Sequence, residues 1–212
     1  MQHIDFIEIH ASATDVYVIP DDRDDVKAEY KGKGNLKVSK NGNAIKVSLE
    51  RSWFQGFNFF WEKKKLNIYI PEDFNEKMAV NIGSGRLHFS GPSKNHPMNL
   101  DELSLDMTSG MVDLKNINVE SYHHDGSSGN AQLDNITAGI ASVKMSSGNV
   151  DMSHFKGKLN AKLSSGRFKG QIDELNVPID VKISDGIVSL DLPKNADFTL
   201  TSKVSSGLIS CD

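Results

Sequence analysis

Val143-Lys144-Met145-Ser146-Ser147-Gly148-Asn149-Val150-Asp151-Met152 carries the pattern that decides the fold. Apolar residues at 143, 145, 150 and 152 alternate with polar ones on both sides of a Ser-Ser-Gly triplet. Alternation of period two marks a strand with one buried face. A central glycine reaches φ > 0 without a Cβ penalty. A serine beside it can hydrogen-bond the turning backbone locally. The stretch reads as strand, corner, strand.

The unit returns along the chain. Gly85, Gly110, Gly129, Gly148, Gly166 and Gly207 each follow a serine, and Gly186 falls in step within Ser184-Asp185-Gly186. The spacings are 25, 19, 19, 18, 20 and 21 residues. When the units are aligned on these glycines, the positions five and three before and two and four after are apolar in 24 of 28 cases. The positions one and three after are polar in 11 of 14. A period this steady means stacked repeats. The expected fold is all-β: a parallel β-solenoid of about seven coils over residues 80–212, right-handed like other parallel crossovers. Coils stacked about 4.8 Å apart would place Val150 in a ladder between Ala131 and Phe168. Ile117, Ile136 and Phe155, seven residues after their glycines, should plug a further corner. An antiparallel β-sandwich with coincidental spacing is the alternative.

Residues 1–79 are also β-rich. Ile4 to His10, Val16 to Ile19, Val26 to Tyr30, Leu36 to Val38, Ile45 to Leu49 and Leu66 to Ile70 read as strands. Asn41-Gly42 suits a hairpin turn. A helical turn could lie within Asp21 to Lys31, and Ser12-Ala13-Thr14-Asp15 resembles a worn Ser-Gly corner. This irregular part should cap and extend the solenoid within one continuous domain. Pro71 marks the passage to the regular repeats.

Bulk properties narrow the function. The net charge is −4 with both signs mixed along the chain, which argues against a nucleic-acid binder. Cys211 is the sole cysteine, so no internal disulfide framework exists. It sits at an inward strand position, where a buried, inert thiol is expected. There is no apolar run of about 18 residues and no visible signal peptide.

The chain resembles a bacterial adhesin-domain family that includes LiaG-like proteins of cell-envelope stress operons. The resemblance rests on Ser127-Ser128-Gly129, Ser146-Ser147-Gly148, Ser164-Ser165-Gly166 and Ser205-Ser206-Gly207. It also rests on Ile70-Pro71 before the first unit and on Leu192-Pro193 with Phe198 before the last. It implies an all-β repeat fold and an extracytoplasmic, membrane-associated location, with a cytoplasmic one as the alternative. It carries no catalytic residues.

The densest local anomaly is Ser52-Trp53-Phe54-Gln55-Gly56-Phe57-Asn58-Phe59-Phe60-Trp61, followed by Glu62 and Lys63-Lys64-Lys65. It reads either as an aromatic hairpin for a membrane surface, envelope polymer or partner protein, or as cover for an open sheet edge. An outward row, Asp113, Gln132, Asp151 and Lys169, lies beside Asn130, Asn149 and Arg167. Its two carboxylates stand two coils apart, about 9–10 Å, too far to share a metal ion. It reads as a solvated strand face. His123-His124-Asp125 looks like a metal-site fragment, but neighbours on a strand diverge and no second cluster exists. A His-rich loop in a degenerate repeat is expected there. Ile82-Gly83-Ser84-Gly85-Arg86 precedes a strand and so cannot cradle phosphate at a helix start. No Gly-x-Ser-x-Gly elbow occurs.

The expected function is a non-catalytic surface or envelope module for adhesion, interaction or signalling, without metal or cofactor. A glycan-active β-helix enzyme is the alternative, which a groove of three or more converging acidic or basic groups would favour. An intracellular assembly scaffold is another.

Overall fold

The computed structural model describes residues 3–50, 64–194 and the backbone of 206–211. The described residues contain strands and connections and no helix. The strands are β1 (Phe6–Ala11), β2 (Asp15–Asp21), β3 (Lys27–Lys31), β4 (Asn35–Asn41), β5 (Ala44–Glu50), β6 (Lys65–Pro71) and β7 (Lys77–Ile82). They continue as β8 (Arg86–Ser90), β9 (Met98–Met107), β10 (Met111–Gly126), β11 (Asn130–Ile172), β12 (Ile179–Asp191) and β13 (Ser206–Cys211). All thirteen belong to one sheet. Its strand pairings are parallel except β3 with β6 and β4 with β5. The parallel pairing overturns the sandwich alternative. The helical turn expected within Asp21 to Lys31 is also absent, because Lys27–Lys31 pairs with β6 as an edge strand.

The stack is built by residues one repeat apart. Val112 registers with Leu87 on one side and Ala131 on the other. Phe168 registers with Val188, and Val188 with Ile209. β11 stacks on β10 and then on itself: Gln132 registers with Asp113, and Asn149 Nδ2 donates to Asn130 Oδ1 at 2.9 Å. Within β10 the inward residues are Val112 and Leu114, then Ile117 and Val119, then Tyr122 and His124. The alternation slips at Asn116 and again after Val119. Each slip is a bend that turns the chain while keeping apolar side chains inside.

The N-terminal strands enter the same ladders out of chain order. β1 lies between β5 and β7, with Ile7 facing Ile45 and Met78. β2 lies between β6 and β8, with Val16 facing Leu66 and Leu87. The corner between β1 and β2 sits directly on the Gly85 corner: Thr14 N donates to Ser84 O at 3.2 Å. Ala13 holds φ 48° there, so Ser12 to Asp15 is a corner without its glycine. The six N-terminal strands expected from the alternation all form, and Gly42 turns the β4–β5 hairpin at φ 59°. One continuous core results. Phe89, Tyr122, Phe155 and Phe168 are among its fully buried side chains, each contributing about 1.5–3 kcal/mol.

Candidate functional site

The Ser-Gly corners explain themselves sterically. Gly110, Gly129, Gly148 and Gly166 hold φ between 123° and 136°, a region L side chains rarely enter. A Cβ on any of them would overlap the carbonyl oxygen of the preceding corner glycine. That carbonyl is in use: Met111 N donates to Gly85 O and Asn130 N to Gly110 O, both at 2.9 Å. Close backbone approach therefore selects glycine, beyond the turn itself. The serines act differently from the local hydrogen bonding expected of them. Ser147 Oγ and Ser165 Oγ point to Ser127 O and Ser146 O of the neighbouring coil, each at 3.5 Å. Gly186 at φ 154° repeats the geometry, and the Gly207 backbone registers with it.

A second file of corners lies at the slip before Ile117, Ile136 and Phe155. Asn116, Asn135 and His154 hold φ of 53°, 56° and 53°. Asparagine tolerates this left-handed region better than other side chains with a Cβ. Asn135 Nδ2 donates to Asn116 Oδ1 at 2.9 Å, and His154 Nδ1 meets Asp173 Oδ2 at 3.3 Å. Asparagine recurring at a fixed offset from the corner glycine was the available signal.

Beside the Ser-Gly corners runs an open groove of about 510 Å³. Besides Gly126, Met145 and Leu163, it is lined by outward positions four and two residues before the glycines between Gly110 and Gly186. The first position supplies Asp106, Asp125, Lys144, Lys162 and Lys182. The second supplies Ser127, Ser146, Ser164 and Ser184. Strand register places Asp106 beside Asp125, Asp125 beside Lys144, and Lys162 beside Lys182. The side chains form one file across the coils, acidic at one end and basic at the other. Lys182 Nζ binds Asp180 at 2.8 Å. Lys144 and Lys162 are exposed and make no ion pair or side-chain hydrogen bond among the described residues. The file was legible in the sequence at the same offset in five repeats, but the alternation only marked that position as outward.

The other sequence candidates fall elsewhere. Trp53, Phe54, Phe57, Phe59, Phe60, Trp61 and Lys63 lie outside the described residues. Their segment joins β5 to β6, the strands that flank the two arms of the Ser12–Asp15 corner. Lys64 O accepts from Asp15 N at 3.1 Å, and Lys65 Nζ stands 4.0 Å from the centroid of the Tyr17 ring. Both lysines are thus tied to β2 and its approach.

The first pair of the Asp113 row is in register, Asp113 with Gln132. It extends to His88, whose Nδ1 lies 2.8 Å from Asp113 Oδ2, and to Tyr17, whose ring centroid is 5.7 Å from that of His88.

His123 and His124 diverge, but from a strand; the expected loop is replaced by the end of β10. His123 Nε2 meets Ser121 Oγ at 2.9 Å on the outer face. His124 faces inward at 2% exposure, in register with Leu105 and Val143. The Tyr122 hydroxyl reaches its Nδ1 at 3.3 Å. Burial pulls the His124 pKa down to about 4, and Asp125 offsets this slightly. The Cys211 side chain lies outside the description. No group of three metal-ligating side chains occurs among the described residues.

Fold and groove together define a class: a parallel, glycine-cornered β-stack that presents a file of polar side chains. The chain matches the family model described as Toastrack DUF4097 over residues 4–212, and so belongs to that family. Among solved structures it matches one described as a "putative cell adhesion protein" from Clostridium sporogenes ATCC 15579. That match covers 99% of this chain and 93% of the other, at 12% identity and a TM-score of 0.45. No curated protein matches the chain.

Proposed function

We propose that this chain is a non-catalytic surface or cell-envelope module, adhesin-like or accessory to signalling, that engages its partner through the groove beside the Ser-Gly corners. The observation that carries this reading is the groove's construction. One exposed charged group and one hydroxyl recur per coil over several coils. Such a surface suits an extended partner laid along the stack. The LiaG-like likeness of the Ser-Ser-Gly units points to the same setting, extracytoplasmic and membrane-associated. No described helix is long and apolar enough to cross a membrane. Fractionation of native cells, with protease shaving of intact ones, tests the location. Recovery in the envelope and cleavage from outside are expected. Purely cytosolic recovery, with no binding of purified protein to isolated envelopes, refutes the proposal.

A glycan-active enzyme is a second reading, favoured by one observation. Asp106 and Asp125 are neighbours in the groove, with Lys144 next in the file. Coil stacking sets the two carboxylates about 5 Å apart, close to the separation in retaining glycosidases. New reducing ends from a glycan mixture, abolished by Asp125→Asn, would establish that reading; an unchanged mixture removes it.

A further inference from the structure

We propose that the lysine half of the groove binds a linear acidic polysaccharide lying along the stack axis. This deepens the reading of the groove as the working surface and rests on it. Lys144, Lys162 and Lys182 occupy equivalent outward positions in successive repeats. Stacking spaces them about 4.8 Å apart. Two of the three have no ionic partner among the described residues, so their charge is available to a ligand. Ser146, Ser164 and Ser184 stand two residues farther along the same strands and line the same groove. The site thus repeats an ammonium and a hydroxyl with the period of the coil.

A polymer that fits must repeat a negative charge and hydrogen-bonding groups over a similar distance. A chain of uronic-acid sugars does this: each ring carries one carboxylate for the ammonium groups and several hydroxyls for the serines. Asp125, in register with Lys144, ends the basic run and repels any further carboxylate. With Lys182 already bound to Asp180, the site offers about two uncompensated charges, those of Lys144 and Lys162. Exposed pairs are weak singly, so binding depends on the repeat and on low ionic strength.

The test uses the full chain and a fluorescent, size-defined oligogalacturonate, followed by anisotropy at low and at physiological salt. Saturable, salt-sensitive binding is expected. The double variant Lys144→Gln/Lys162→Gln should weaken it by about tenfold. Lys94→Gln, an exposed lysine on the connection between β8 and β9, should leave it unchanged. Matching circular dichroism melts confirm that all variants fold. Three results overturn the proposal: no binding at low salt, equal binding by the double variant, or binding confined to polyphosphate or anionic vesicles. None of these bears on the cell-fractionation result, so this proposal can fail while the envelope reading stands.

Discussion

His124 should make the stability of this protein fall as the solution is acidified, and His124→Leu should remove that part of the dependence. The imidazole is held neutral by burial among apolar neighbours, with its pKa lowered from 6.5 to about 4. The unfolded chain binds a proton at this site below about pH 6.5, while the folded chain resists until about pH 4. Between those values the unfolded state carries more protons. Stability is therefore fully present above the upper value, is lost as pH falls through the window, and levels off below the lower one. The full shift corresponds to about 3 kcal/mol, of which about 2 kcal/mol is lost by about pH 5. Leucine suits the position because His124 registers with Leu105 and Val143. Urea unfolding of both proteins at neutral pH and near pH 5 gives a double difference in which carboxylates common to both cancel. The wild type should lose about 2 kcal/mol more than the variant on acidification. Parallel losses in the two proteins would show that His124 is not held neutral inside the folded stack, and would refute the argument.

Other perturbations separate corner, core and aromatic segment. Gly148→Ala adds a Cβ at φ 127° against the Gly129 carbonyl and should cost about 3–5 kcal/mol by combined strain and overpacking. Gly42→Ala, at φ 59° with open space around the new methyl, should cost only about 1–2 kcal/mol, and thermal melts compare the pair. Asn135→Val forces a β-branched residue to φ 56° and strips the Asn116 amide oxygen of its donor, for a loss of about 2–4 kcal/mol in urea unfolding. Trp53→Ser/Trp61→Ser should keep the melting temperature and weaken binding to liposomes in a flotation assay. Unfolding of that variant would assign the rings to edge cover instead.

The architecture was legible because a stack writes its constraints at a fixed period. The residues flanking Gly148 had to alternate, since Val143, Met145, Val150 and Met152 all face one core. The corner glycines had to recur, since each backbone lies against the last. What escaped the reading had weaker or interrupted signals. The worn corner at Ser12-Ala13-Thr14-Asp15 was legible, but β1 and β2 join the stack between strands that follow them in sequence, which no local pattern encodes. The asparagine corners were visible only as the apolar residue after them. The lysine file was hidden for another reason: alternation marks a position as outward without saying which outward columns face a common groove.

That last point bears on where function can reside in such a fold. Inward positions are held by packing and corner positions by the carbonyl of the coil beside them. A substitution at either disturbs neighbouring coils as well as its own. The outward positions carry no such constraint, so chemistry can vary there from coil to coil. Here the column four residues before the glycines runs Asp106, Asp125, Lys144, Lys162 and Lys182, a change of sign along a single file. Cross-coil pairing does not require that order. Pairs such as Lys46 with Glu8 at 2.9 Å and Lys115 with Asp134 at 3.3 Å show that opposite charges elsewhere are set directly against each other. An arrangement that sets three lysines in succession gives up that mutual compensation, at a small cost per exposed charge. It gains a strip that is acidic over Asp106 and Asp125 and basic over Lys144 and Lys162, and the polyanion proposed above would lie over the basic end.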